Sequence, residues 1–297
     1  MKGRLLHFLE ADRHPSYEQH LTPTQEFPRG QFHAGLHCID PDEHLGFEEL
    51  LIALRAHLPK ASKWDPCFVT EQVLRTGAAR FLWCCTYLGR PVDACYRHFA
   101  NHLARAGGAW RVVTFNWDIM VEQSLADLKA LWKYSFAGAD RAVSVIKPHG
   151  SINWTALKQH PHLSTAYQGW QPIAPRSTLS FDVSRPLEHP DSYEIHPDLR
   201  FCLFPGDPDA PETHPDLQLL WSDARAAIAE SDEIVFIGYS LPLYDSFAVE
   251  TLRSVCAGKQ MTVYDLSDHT LERFREVFPT AVLKAGPFNA TPFAAST

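Results

Sequence analysis

The sequence predicts an α/β protein: a parallel sheet with helices on both faces and a proline-rich insertion, folded as a single domain over residues 1–297. Three observations predict it. Short runs rich in Val, Ile and Phe stop abruptly at polar residues in VVTFNWD (Val112–Asp118), SVIKPHG (Ser144–Gly150), EIVFIGYS (Glu233–Ser240) and MTVYDLSD (Met261–Asp268). Such runs read as buried parallel strands that deliver side chains to their carboxyl ends. Segments with apolar residues at helical spacing alternate with them, which is a βαβ arrangement. Nine prolines between Trp154 and His214 argue against long regular elements there, so residues 155–214 are expected to form an inserted lobe or loop.

The elements follow in chain order. Residues 1–46 are expected to be irregular, because 10–46 are rich in His, Pro and Gly with little periodicity. From Phe47 the sequence FEELLIALRAHL sets Leu50, Leu51, Leu54 and Leu58 at helical spacing. Residues 68–106 read likewise, with Tyr96, Phe99, Ala100 and Leu103 ahead of Gly107-Gly108, and should cover a sheet. A helix is expected from near Ile119, another from about Pro215 to Ala229, and a third from Ser246 to Val255 after the GYS strand.

Composition narrows the classes of function. A chain that is 45% hydrophobic over 297 residues buries a sizeable core. Twenty-seven basic against 35 acidic residues leave a formal net charge of −8 and no cationic stripe, which argues against direct nucleic-acid binding. Seven scattered cysteines with no CxxC pair read as reduced thiols of a cytoplasmic protein. No apolar stretch has the length of a membrane span, and no targeting segment is evident.

The four strand ends look like one ligand site, because ligands of open α/β sheets bind at the carboxyl edge. Asn116 and Asp118 lie in the turn after the first of these strands; Asp118 also fits a helix N-cap, whereas Asn116 lies too early for one. His149 stands out among sixteen histidines, since it follows a Val-Ile pair, is held by Pro148 and precedes Gly150, where backbone can approach a ligand closely. Its imidazole could act as general base or acid, an effect worth about 10²–10⁴ in rate, or serve as a structural histidine bonded to a loop carbonyl. Gly238 and Ser240 could let a phosphate or ribose pack against backbone amides. Asp265 has the placement of an acidic residue that bonds ribose hydroxyls, and equally that of a turn or cap aspartate; Asp245 or Ser246 reads as the cap of the next helix, so Asp245 is not read as catalytic. Histidines of the insert, such as His160 and His162, lack helical metal-ligand spacing, so no metal site is expected.

These residues resemble a known family. TFNWD is similar to the T-x-N-x-D motif of sirtuin-like NAD-consuming domains, KPHGSINW to their histidine-glycine motif, and VFIGYSLPLYD to the glycine-serine segment of their prokaryotic members. The resemblance extends loosely over about residues 47–290. It implies a Rossmann-like site for NAD, taken as substrate. There Asn116 would contact the nicotinamide ribose and position water, Asp118 would bond the carboxamide, and His149 would serve as base or ribose-hydroxyl partner. Gly238 and Ser240 would line the adenosine side.

Two departures shape the expected activity. Deacylases of this family carry a zinc ribbon of two CxxC pairs, and this sequence has none, so no zinc is expected and NAD hydrolysis is preferred to deacylation. The glycine-rich G-A-G-x-S loop that follows the family's first strand is also missing. Either the chain starts downstream of that strand and its sheet lacks a central member, or the pyrophosphate cradle has been lost. The reading is an NAD glycohydrolase, in the manner of bacterial antiviral defence effectors, working as a homo-oligomer or with a defence-system partner. The alternatives are a non-catalytic module that senses a nucleotide or binds a protein, and an NAD-dependent protein deacylase.

Overall fold

The computed structural model describes residues 29–40, 44–58, 65–68, 70–71, 73–75, 78, 94–106, 110–134, 142–151, 215–242 and 244–286. Its elements are α1 (Arg29–Ile39), α2 (Phe47–His57), α3 (Ala94–Ala106), β1 (Arg111–Val113), α4 (Met120–Asp127), β2 (Trp132–Tyr134), β3 (Val143–Ile146), α5 (Pro215–Ala229), β4 (Glu233–Ile237), α6 (Ser246–Val255), β5 (Gln260–Asp265), α7 (Asp268–Val277) and β6 (Val282–Ala285). Further helical residues lie within 66–78, between α2 and α3. The expected proline-rich insert at 155–214 lies outside the described residues.

The protein is mixed α/β with parallel strands, but the single expected sheet is divided. Three strands pair in the order β1-β3-β2 and three in the order β4-β5-β6, every pairing parallel. Parallel neighbours require crossovers, which α6 and α7 supply in the second sheet. Among the described residues the sheets meet at β1 and β4 through side chains instead of a backbone ladder. Val113 and Phe115 pack against the core of the second sheet, while the Thr114 amide turns to the Ile146 carbonyl at 2.9 Å and keeps the exit of β1 on β3.

Burial follows the strand period. Val143 and Val145 of β3 join Val112, Ala100 and Leu103 of α3, and Val121 and Leu125 of α4, in one apolar cluster. Ile146 instead meets Ala224 and Ala227 of α5. Successive side chains of a strand point to opposite faces, so β3 is covered by helices on both sides, and its unbroken burial follows. The second sheet packs Phe236, Met261 and Val263 against Leu252 of α6 and Leu271 and Phe274 of α7. Phe236, Phe274 and Phe278 stand 4.9–5.9 Å apart, centroid to centroid. Each such ring contributes about 1.5–3 kcal/mol through burial.

Ahead of the sheets, α2 buries Phe47, Leu50, Leu51 and Leu54 on one stripe. Glu71, itself buried, binds Arg55 of α2 at 3.1 Å and Arg75 at 3.2 Å. The expectation of an irregular segment through residue 46 is corrected by α1, Arg29–Ile39. Packing made this helix in spite of Gly30 and Gly35: a Cβ at Gly35 would lie 2.1 Å from Thr70 Oγ1 and 2.7 Å from the Pro66 carbonyl oxygen, so the helix seats where only glycine fits. Among the described residues no helix is long and apolar enough to cross a membrane.

A buried ion pair joins the exit of β3 to α4. Lys147 Nζ lies 3.0 Å from Glu122 Oε1 with both side chains essentially out of water, and it also donates to the Asp118 carbonyl. Tyr134 of β2 donates its hydroxyl to the same carboxylate oxygen at 3.0 Å. Removing one member of such a pair strands the other charge, at a cost of about 3–5 kcal/mol. Lys147→Met should therefore lower unfolding free energy by that amount in urea titrations, and Lys147→Met combined with Glu122→Leu should recover most of the loss. A single variant as stable as the wild type would show that the pair is not structural.

Candidate functional site

The carboxyl ends of β1, β3 and β4 converge, and short-range bonding fixes the first two loops. After β1, the Asn116 amide donates to Thr114 Oγ1 at 3.2 Å, and Asp118 Oδ1 accepts from the Met120 amide at 3.0 Å where α4 begins. After β3, the Gly150 amide closes a turn on the Lys147 carbonyl at 2.9 Å. Gly150 adopts φ +82°, a left-handed conformation suited to glycine. Ser151 then donates its hydroxyl to the Trp117 carbonyl at 3.3 Å, and Lys147 reaches the Asp118 carbonyl. The NWD and KPHGS loops are thus stitched together by a side chain on each side of His149.

The loop after β4 brings the facing wall. Gly238 at φ +61° and Leu241 at φ +46° bracket Tyr239-Ser240 with left-handed backbone, a conformation rare for leucine. Leu241 is buried, and its packing holds the turn. Between these two positions Tyr239 turns inward. Its ring stacks on Phe115 with centroids 4.5 Å apart, and its hydroxyl donates to Asp245 Oδ2 at 3.1 Å. Burial first, and the Asp245 carboxylate second, push this phenol far above its usual range, so Tyr239 remains a donor.

His149 occupies the centre of this arrangement. Its ring meets Phe115 edge-on at 4.9 Å and Trp221 of α5 at 5.8 Å, and only 13% of the side chain is exposed. Nε2 stands 3.2 Å from Asp245 Oδ2, within ion-pair distance but not aligned as a hydrogen bond. An imidazole backed by a buried carboxylate and walled by aromatic rings can accept a proton and have the resulting charge stabilised.

Asp245 was expected to cap α6. It occupies the N-cap position, but its side chain makes no capping bond; the carboxylate turns to Tyr239 and His149 instead. Asp245, Tyr239, Phe115 and Trp221 are the site residues that sequence reasoning missed. A carboxylate ahead of a helix reads as a cap, and no local signal reveals a hydroxyl six positions earlier as its partner.

The other expected site residues are placed less tightly. Asn116 is exposed, and its side chain has no partner among the described residues. Asp118 has one oxygen engaged at the start of α4. Gly238 and Ser240 are exposed at the end of β4, where Arg273 Nη1 approaches the Ser240 carbonyl at 3.4 Å. Asp265 Oδ1 accepts from the Ser267 amide at 2.7 Å, and Ser267 Oγ caps α7 through the Thr270 amide at 3.3 Å. Asp265 therefore holds a turn and makes no contact with His149 among the described residues.

No protein-family model matches this chain, and no curated protein matches it significantly in sequence.

Tyr239→Phe removes a donor from a buried carboxylate while keeping the ring. It should lower unfolding free energy by about 1.5–3 kcal/mol, the range for hydrogen bonds to charged groups. Denaturant titration checks this, and an unchanged midpoint would mean that Asp245 draws nothing from the hydroxyl.

Proposed function

We propose that this chain is a sirtuin-like NAD glycohydrolase with a Rossmann-like nucleotide site, cleaving the bond between nicotinamide and ribose. The observation that carries the reading is the placement of His149 at the converging ends of β1, β3 and β4, with Asp245 behind it and aromatic side chains around it. That edge is where open α/β sheets bind ligands. The TFNWD, KPHG and GYS segments that resemble the sirtuin-like family supply its loops.

In this reading the glycosidic bond breaks with its electron pair going to nicotinamide, and water adds to the ribose carbon of an oxocarbenium-like transition state. His149 takes the proton from water or from a ribose hydroxyl, and Asp245 stabilises the imidazolium. Asn116, exposed at the mouth, is free to turn toward ribose and water. The second oxygen of Asp118 is left for the carboxamide. The Gly150 turn lets backbone approach the ligand, Gly238 and Ser240 line the adenosine side with Arg273 nearby, and Asp265 offers its remaining oxygen to a ribose hydroxyl.

A specific observation favours the second reading, a non-catalytic sirtuin-like module that senses a nucleotide or binds a protein. The glycine-rich loop that follows the first strand in the family, and that would cradle the pyrophosphate, is missing from the sequence. Deacylation stands third, since the paired CxxC ribbon is lacking.

The test is nicotinamide release from NAD by the purified chain. Wild type should release it, and His149→Ala should lower turnover by about two decades or more with the fold intact by circular dichroism. Turnover retained in His149→Ala removes the base, and no release from the wild type favours the binding module. Asp245→Asn should lower kcat by about one or two decades with little change in KM, because it removes charge behind the base and no contact to ligand. An equal rise in KM would reassign Asp245 to binding. Asn116→Ala should abolish hydrolysis with a smaller effect on NAD affinity, measured by calorimetry; equal losses in both would make Asn116 a binding residue.

A further inference from the structure

A second constellation lies among the amino-terminal helices, away from the residues of the proposed NAD site. Cys38 in the last turn of α1, His57 at the end of α2 and Cys67 beyond it bring one ligand atom each to within 4.8 Å of one another. Three separate segments contribute. Cys67 is fully buried, and its thiol points at the Gly35 carbonyl, 4.0 Å away. Gly35 sits one turn before Cys38, and the close seating of α1 on Pro66 and Thr70 is what carries Cys38 to Cys67.

A carboxylate braces the group. Asp65 Oδ2 stands 3.3 Å from His57 Nε2, and its Oδ1 accepts from the Cys67 amide at 2.9 Å. A carboxylate that fixes a ligating histidine and bonds the backbone of a ligating cysteine is the outer-shell arrangement of metal sites. Two thiolates with an imidazole form a soft to borderline donor set, which suits zinc better than magnesium or calcium. With Zn–S of about 2.3 Å and Zn–N of about 2.0–2.1 Å, tetrahedral ligand atoms lie roughly 3.5–3.8 Å apart. The group therefore needs to contract by at most about one ångström, and Cys38 is exposed near the end of a helix, where it can shift toward the buried Cys67.

We propose that Cys38, His57 and Cys67 bind a zinc ion, with Asp65 as the positioning residue of His57. The ion clamps α1, α2 and the helical residues that begin at Pro66 to one another. The site is unrelated to a ribbon of CxxC pairs, and it stands whether or not the chain hydrolyses NAD.

Metal content decides the matter. The full chain, purified under reducing conditions and without chelator from cells grown with added zinc, should hold about one zinc per chain by plasma mass spectrometry. Replacement by cobalt should give a thiolate-to-cobalt charge-transfer band. Cys38→Ser, at an exposed position, should fold yet lose the zinc and weaken the band. Cys256→Ser, a buried cysteine outside the group, should keep both. Asp65→Asn should lower zinc affinity by about 10–100-fold in competition with a chromophoric chelator. Should Cys38→Ser fold poorly, Cys38→His, which restores a ligand, should regain both fold and metal. A wild type without zinc, zinc retained in folded Cys38→Ser, or isolation of the chain with a Cys38–Cys67 disulfide would each overturn the proposal.

Discussion

The Lys147–Glu122 pair is the interaction on which the carboxyl edge of the first sheet depends. An ammonium and a carboxylate are both taken out of water there, and each persists only because the other is in place. The hydroxyl of Tyr134 and the carbonyl of Asp118 join the pair, so that β2, α4 and the loops after β1 and β3 all meet at one charge cluster, while Glu122 Oε2 is buried with no hydrogen-bond partner among the described residues. Lys147 immediately precedes Pro148 and His149. Fixing its ammonium fixes the point from which His149 departs.

The His149 surroundings are then assembled from opposite sides. The first sheet supplies the imidazole and Phe115, the second supplies Tyr239 and Asp245, and α5 supplies Trp221. No backbone ladder holds the sheets together here among the described residues. Ring stacking, apolar burial of Val113 and the approach of Asp245 to His149 do so. The same contacts therefore serve cohesion and site geometry, and a substitution at Phe115 or Asp245 acts on both.

Much of the fold was legible in the sequence for identifiable reasons. The strands at Val143, Glu233 and Gln260 carry continuous apolar runs that stop at polar residues, and α2, α5 and α6 have apolar stripes or clear helix starts. β2 was not legible, because Trp132, Lys133 and Tyr134 are all half-buried and show no alternation. β6 fails likewise, with three of its four residues exposed. Helix α1 was hidden by two glycines whose cost in helix propensity is overridden by seating on Pro66 and Thr70. Of the candidate site, the position of His149 at a strand end and the glycine turns at Gly150 and Gly238 were legible from local chemistry. Asp245 and Tyr239 were not, since their roles depend on the meeting of two sheets. The Cys38, His57 and Cys67 group was invisible for the same reason, lying on three segments with no recognisable spacing.

Helix α5 is held at more than one point along its length: Leu220 and Trp221 are buried, Trp221 meets Phe247 of α6 edge-on at 4.8 Å, and Arg225 lies over the same ring at 5.3 Å. Lys259 Nζ donates to the carbonyls of Ala229 at 2.7 Å and Ser231 at 2.6 Å, and Glu230 pairs with Arg111 at 3.2 Å, so the carboxyl end of the helix is clamped to the entry of β1 and β5. Trp221 rides farther toward the amino end. The indole that walls His149 is therefore set by two independent supports, the polar clamp beyond Ala229 and the ring of Phe247, and the wall is a fixed part of the fold.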